Sequence, residues 1–437
     1  MDEQKDLGTN CYVLHVDLPP SAEEGNLPSL RSSEDKLSEV INLTEALNLE
    51  VVESSSVTLK RINPKTFIGG GKIIELTEYF EEHEIDVVVV NTNLSPSQQR
   101  NLEIAWDKKV VDRTNLILEI FADRARTKAG RLQVELAHCM FQQSRLVRAW
   151  THLERQRGGT SKTGGPGERQ IELDRRMIQE RIIKIKQSLV SVEKERELHR
   201  KTRKKSRIPV VALVGYTNAG KSTLFNALVG DEAEAKDMLF ATLDPLMRRF
   251  VLPNNEAIIV SDTVGFVSDL PHQLVDAFAA TLEEVAGADL MIIVHDASSP
   301  DADAQYQDVC EVLKNIKADK VPIIHVGNKM DLVEGGFNFS LPKGALPTSA
   351  VSGEGVEPLI HKMTETLFGE EQIFMFHVHA SEGKWLAWMH AHGDVLNSNL
   401  DEDIWHIEVK LNTATATILQ EEAPHIYETR KNMKKPA

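Results

Sequence analysis

Residues Gly215-Tyr216-Thr217-Asn218-Ala219-Gly220-Lys221-Ser222 carry the spacing GxxxxGKS, followed by Thr223. This is the pattern by which a backbone loop wraps a phosphate chain. The loop follows the apolar run VVALV and precedes TLFNALVG, so it lies where a strand passes into a helix. Glycines there let successive amides face phosphate oxygens, and the helix N-terminus adds a favourable dipole. Lys221 has the reach for β and γ phosphates, and the Ser222 hydroxyl is a ligand for Mg²⁺.

Asn328-Lys329-Met330-Asp331 selects the base. A carboxylate at Asp331 accepts from both N1–H and N2–H2 of guanine, a donor pair that adenine does not present. Asn328 is expected to face N7 and O6, and the Lys329 stem to cover the ring. Thr348-Ser349-Ala350 follows, where the Ser349 and Ala350 backbone can reach the guanine oxygen. Asp262-Thr263-Val264-Gly265 closes the apolar run AIIVSD. Asp262 is expected to hold Mg²⁺ through water, and the Gly265 amide to sense the γ phosphate. Phe240-Ala241-Thr242-Leu243-Asp244-Pro245 supplies Thr242 as a further magnesium ligand. Lys221, Thr242 and Gly265 are thus the expected catalytic set, acting on water attack at the γ phosphate of GTP. Phe266, directly after Gly265, has no polar group to position water, which predicts slow turnover without a partner. Asn218 is a candidate K⁺ ligand, against ordinary loop stabilisation. Loops ordered by Mg²⁺ and γ phosphate, and released on hydrolysis, make a switch.

These loops need strands to hold them. IPVVALVG, EAIIVSD, LMIIVHD and VPIIHVGN alternate with helical stretches, the pattern of a parallel sheet covered on both faces. The first 120 residues repeat that alternation: strands at CYVLHVDL, VVESSSVTL, IDVVVVN and KKVVDRT, and helices around Leu37–Leu47, GGGKIIELTEYFEEH and PSQQRNLEIAW. Asn115 to Arg157 reads as helical, and a second long helix is expected from about Glu168 to beyond Val192. The intervening GGTSKTGGPG, residues 158–167, cannot sustain a helix. FMFHVHA and IWHIEVKL are strands of a compact tail, with KWLAWMHAHG as its helix. The expected architecture is multidomain α/β. It comprises an N-terminal parallel-sheet domain (1–120), a long antiparallel helical hairpin (121–205), a P-loop G domain (206–370) and a small α+β C-terminal domain (371–437). His377, His379, His390 and His392 offer a weak zinc hypothesis, unsupported by any nearby cysteine.

At 437 residues, 41% hydrophobic and 27% charged, the chain has the composition of folded domains rather than of a disordered or disulfide-built protein. Three scattered cysteines predict a reducing compartment. With no apolar span and an acidic N-terminus, the expected location is the cytoplasm, with no stable membrane insertion. The formal charge is −16, yet residues 121–210 hold 23 basic and 10 acidic side chains, a net of +13. A basic arm on an acidic body points to RNA or a ribonucleoprotein, against a self-paired solvated helical face. By charge alone RNA, DNA and an acidic protein are equivalent. Absence of a clear coiled-coil seam favours a monomer.

The chain resembles the HflX-type GTPases, a ribosome-associated branch of the translation-factor-related P-loop enzymes. The resemblance rests on Thr66-Phe67-Ile68-Gly69-Gly70-Gly71-Lys72, Leu94-Ser95-Pro96-Ser97-Gln98-Gln99-Arg100-Asn101-Leu102-Glu103 and Asp112-Arg113-Thr114. It continues through Ile120-Phe121-Ala122-Asp123-Arg124-Ala125, Leu132-Gln133-Val134-Glu135-Leu136-Ala137, Gly164-Gly165-Pro166-Gly167-Glu168-Arg169-Gln170 and Glu172-Leu173-Asp174-Arg175-Arg176, besides the nucleotide motifs. It covers roughly residues 35–370. It implies binding to the 50S large ribosomal subunit and its RNA, not DNA, with the hairpin tip approaching the peptidyl-transferase region and ribosome contact stimulating hydrolysis. It further implies splitting or rescue of stalled ribosomes under stress and, in some members, ATP-dependent remodelling of ribosomal RNA. Departures are Arg169 where the family reads threonine, Asn91-Thr92-Asn93 where acids are common, and Leu246-Met247 where hydroxyl residues are frequent. The competing expectation is a GTP-dependent RNA- or protein-binding switch without splitting activity; a metabolic kinase is poorer, since no acceptor-binding motif accompanies the loop.

Overall fold

A computed structural model describes residues 9–18, 31–156, 166–205, 208–230, 240, 242, 246–268, 285–333, 342–369 and 371–430. In the N-terminal part, β1 (Asn10–Asp17), β2 (Glu50–Thr58), β3 (Val87–Asn91) and β4 (Lys109–Asp112) form a parallel sheet of order β2-β1-β3-β4. Helices α1 (Ser33–Glu45) and α4 (Arg113–Arg124) cover one face, packing on Cys11, Val13, Val87 and Val89. Helices α2 (Gly70–Glu82) and α3 (Pro96–Trp106) cover the other, packing on Tyr12, Leu14, Val88 and Val90. With neighbours of one strand buried on opposite faces, the unbroken VVVV of β3 is the expected sequence. Helix α3 starts with a capping box between Ser95 and Gln98 and with Pro96 in its first turn, where its missing N–H costs no helical bond.

The stretch read as helical from Asn115 to Arg157 holds two helices. Helix α4 ends at Arg124, Ala125 is extended, and α5 spans Lys128–Gln156. Thr127 makes the break by accepting the Gly130 amide at 3.0 Å, an N-terminal cap. The expected domain limit at 120 therefore falls inside α4. Helix α6 runs from Pro166 to Lys205, two residues earlier than expected, because proline suits a first helical turn. It packs antiparallel on α5: Arg181 pairs with Glu135, and Gln143 donates to Gln179 at 2.7 Å. Ile182, Ile185 and Leu189 are buried against Val134, Leu136 and Ala137, in the same core as α1 and α4. The hairpin base is thus rooted in the N-terminal layer. Of the expected tip, residues 158–165 lie outside the described residues, Lys162 among them.

The third part is built on β5 (Val210–Gly215), β6 (Leu246–Val251), β7 (Ala257–Asp262), β8 (Leu290–Asp296), β9 (Ile323–Asn328) and β10 (Leu346–Pro347), in the order β10-β9-β8-β5-β7-β6. Only β6 is antiparallel. It escaped the sequence reading because two adjacent arginines in the middle of LMRRFV break both a continuous apolar run and a strict alternation. Helix α7 (Lys221–Val229) follows β5, and α8 (Ala302–Asn315) and α9 (Val356–Phe368) complete the layers. The tail forms the antiparallel sheet β12-β13-β11-β14, from β11 (Glu371–His379), β12 (Asp394–Asp401), β13 (Ile404–Asn412) and β14 (Tyr427–Arg430). Helices α10 (Gly383–His392) and α11 (Thr413–Glu422) close one face over Phe374, Phe376, Ile407 and Val409. His377 lies across from His406, His379 bonds Ser381, and His392 bonds the Trp388 carbonyl. Among the described residues no group of three metal-ligating side chains forms, and no helix is long and apolar enough to cross a membrane.

Candidate functional site

Strands β5, β7 and β9 end along one edge of the sheet, at Gly215, Asp262 and Asn328, with β8 between β5 and β9, and the three motifs meet there. That is where an open parallel sheet binds its ligands, outside the carboxyl ends of its strands. The cleft holds about 380 Å³. Thr217, Asn218, Gly220, Lys221, Ser222, Thr223, Thr242, Gly265, Asn328, Lys329, Asp331 and Ala350, all expected from sequence, line it. Gly215, Tyr216, Ala219, Asp262 and Ser349 support it from behind. A Cβ on Gly215, at φ +155°, would stand 2.3 Å from the Val294 carbonyl oxygen. Glycine here lets the P-loop leave β5 against β8.

Helix α7 begins at Lys221, buried at the cleft floor, whose Nζ donates to the Tyr216 carbonyl at 2.8 Å. Burial lowers its pKa to about 8, while Asp262 acts in the opposite sense. Beside it Asp262 Oδ2 accepts from Ser222 Oγ and Thr242 Oγ1, each at 2.7 Å, and the two hydroxyls lie 2.9 Å apart. Burial raises the Asp262 pKa; the Ser222 bond and Lys221 counter it. The Asp262 Oδ1 and Thr217 Oγ1 atoms are buried with no hydrogen-bond partner among the described residues. An all-oxygen set of one carboxylate and two hydroxyls, with one carboxylate oxygen left over, fits a hard divalent cation. At Gly265 a Cβ would lie 2.9 Å from Lys221 Nζ and from Thr217 Cα, so only glycine brings its amide this close to the phosphate floor.

At the base end, Asn328 lines the cleft and also holds the backbone: Nδ2 donates to Ala219 O and Oδ1 accepts from Ala350 N, each at 2.9 Å. It braces the phosphate loop against the base loop. Asp331 accepts from Ser349 Oγ at 2.6 Å, which fixes the carboxylate rotamer. Lys329 is held by Asp296 at 2.8 Å. Asp296 escaped the sequence reading, as did Thr263, Leu332 and Val351 in the lining. The Asp that ends LMIIVHD was the available signal, since it closes a strand at the level of Asp262 and Asn328.

Phe266 is buried among Val214, Val309 and Leu313, away from the cleft. Its backbone instead ties the phosphate loop to the next one: Thr217 N donates to Phe266 O at 2.7 Å, and Phe266 N to Gly215 O at 3.1 Å. Phe240, at φ +55°, packs edge-on against Phe121 of α4, with ring centroids 4.7 Å apart.

Three family descriptions match in succession: GTP-binding GTPase N-terminal over residues 34–122, GTP-binding GTPase Middle Region over 124–203, and 50S ribosome-binding GTPase over 210–329. The GTPase HflX of Magnetococcus marinus is 49% identical over 389 residues, covering 88% of this chain and 90% of that protein. That of Escherichia coli is 41% identical over 390 residues, covering 88% and 89%. Among solved structures, a GTP-binding protein from Sulfolobus solfataricus in complex with GDP is 25% identical, covering 82% of this chain and 98% of that one at a TM-score of 0.44. With the guanine and phosphate motifs gathered in one cleft, and with relatives of this identity along nearly nine-tenths of its length, the chain belongs to the HflX family of GTPases.

Proposed function

We propose that this GTPase binds the 50S ribosomal subunit through its N-terminal layer and basic hairpin, and couples GTP binding and hydrolysis to ribosome dissociation or rescue. The observation that carries this reading is the rooting of the basic hairpin in the very core that also contains Tyr216, Phe240 and Val264 of the nucleotide region. A lever and a nucleotide cleft that share packing can move together. The family description 50S ribosome-binding GTPase supports the partner. The functional units are taken as residues 1–120, 121–205, 206–370 and 371–437.

In the reaction, Lys221 binds β and γ phosphate oxygens, and the Gly265 amide faces the γ phosphate as charge develops. Ser222 and Thr242 would hold Mg²⁺, with Asp262 behind them through water; the ion supplies neutralisation of phosphate charge. Asp331 accepts the guanine N1–H and N2–H2, Lys329 covers the ring, and the Ala350 amide reaches the guanine oxygen by exchanging its bond to Asn328 Oδ1. No polar side chain takes the Phe266 position, so alignment of the attacking water falls to the ribosome. K⁺ at Asn218 and ATP as a second nucleotide are further proposals. Co-sedimentation with purified 50S subunits tests the partner: retention with a non-hydrolysable GTP analogue exceeding retention with GDP by tenfold or more is expected. Equal retention in both states would refute coupling.

A further inference from the structure

The N-terminal sheet reverses its strand order between β1 and β3, and the crevice at such a point is where a doubly wound fold takes a small ligand. Here His15, two residues before the end of β1, meets Asn91 at the end of β3 at 3.0 Å, and Asn91 Oδ1 accepts from Arg113 Nη1 at 2.8 Å. What this crevice grips is the nucleotide domain. Arg113 Nη2 donates to Ser268 O at 3.0 Å and Ser268 Oγ at 2.8 Å, and also bonds Glu39. Glu39, at the buried side of α1, accepts from the Tyr216 hydroxyl at 2.6 Å and from Ser268 Oγ at 3.1 Å. Arg31 donates to Glu39 and to Tyr216 OH, and on its other side pairs with Asp308. The Ser268 amide completes the set by donating to Tyr216 OH at 2.7 Å.

We infer that Glu39 is a positioning residue through which the N-terminal layer reads the nucleotide state, its ligands being the phosphate-loop Tyr216 and the γ-phosphate-loop Ser268. Three features carry this. Tyr216 faces both ways: its carbonyl receives Lys221 Nζ, and its hydroxyl reaches Glu39. Phosphate oxygens compete with that carbonyl for Lys221, so nucleotide binding acts directly on the residue that Glu39 holds. Ser268 lies three residues beyond Gly265, with Phe266 between them laddered to the phosphate loop. Any movement of the Gly265 amide toward a γ phosphate is therefore delivered to Ser268 over a short, tethered segment. Finally, the pocket is buried and charge-balanced. Side-chain exposure is 11% at Glu39, 6% at Arg31 and 7% at Arg113. Burial raises the Glu39 pKa, but Arg113 and Arg31 outweigh it and hold the carboxyl below its ordinary value. A charged hydrogen-bond cluster shut off from water has discrete arrangements rather than a soft continuum, which suits it to switching.

The inference deepens the proposed regulation of the same cleft, and its test needs no ribosome, so failure of the ribosomal reading leaves it standing. In the full chain, the affinity ratio between a non-hydrolysable GTP analogue and GDP would be measured for wild type, Ser268→Ala, Glu39→Gln and the double variant, alongside thermal midpoints. Ser268→Ala removes a single hydroxyl and serves if Glu39→Gln fails to fold. A threefold or larger change in the ratio for each single variant, with no further change in the double, is expected. Deuterium exchange of residues 33–45 should differ between the two nucleotides in wild type and lose that difference in Ser268→Ala. A ratio changing less than threefold, even with a lowered midpoint, would mark the cluster as a structural anchor and overturn the inference.

Discussion

Lys221 sets the pH response of the site. Burial holds it near 8, against an ordinary value above 10, and phosphate oxygens favour the charged form. Below about 8 the ammonium is already present and GTP affinity is expected to be flat. Above it, binding must take up a proton, so affinity falls as pH rises and calorimetry at pH 8.5 should register proton uptake. Uptake of no proton there would contradict the assignment. Asp331 sets the base. Asp331→Asn replaces an acceptor with an amide that can donate to a C2 carbonyl, so GTP affinity should drop by at least a hundredfold while XTP affinity rises; competitive displacement of a fluorescent nucleotide measures both. The phosphate and base motifs were legible because each is contiguous and chemically constrained. The bracing role of Asn328 was not legible, because it depends on what lies opposite, Ala219 and Ala350, which are far away in sequence. Glu39 was invisible for the same reason: one acid among many on a helix, distinguished only by the partners that the fold delivers to it.

At the scale of elements, buried parallel strands announced themselves as continuous β-branched runs, and helices as glycine- or proline-opened amphipathic stretches. Edges did not. Strand β12 is polar and largely exposed, β6 is interrupted by two adjacent arginines, and neither they nor the two-residue β10 carry a periodic apolar signal. The break between α4 and α5 was hidden because Ala125 and Thr127 are compatible with a helix, and only the Thr127 cap decides otherwise. Packing of α6 is expected to matter for the lever. Ile182 is 8% exposed in the shared core; Ile182→Ala should destabilise that unit by about 2–4 kcal/mol. Thermal unfolding should show a lowered midpoint, while GTP affinity at low temperature stays within twofold.

For the whole molecule, charge segregation is the organising feature. The net of +13 within residues 121–210 of a −16 chain concentrates phosphate attraction on the hairpin and its flanks. Affinity for 50S subunits should fall steeply and linearly with log salt, whereas GTP affinity should depend on salt only weakly. The anionic remainder disfavours indiscriminate attachment to nucleic acid, so RNA binding is confined to a surface that the N-terminal core connects to the cleft.

GTP hydrolysis with Mg²⁺, compared for the protein alone, with purified 50S subunits and with naked duplex RNA, tests the central claim most directly. Slow basal turnover, raised tenfold or more by 50S but not by duplex RNA, is the predicted result. Replacement of residues 158–167 by a short neutral linker should abolish that stimulation and spare GTP affinity. Tight GTP binding with no stimulation by 50S would contradict ribosome-activated turnover and leave a GTP-dependent binding switch as the better account.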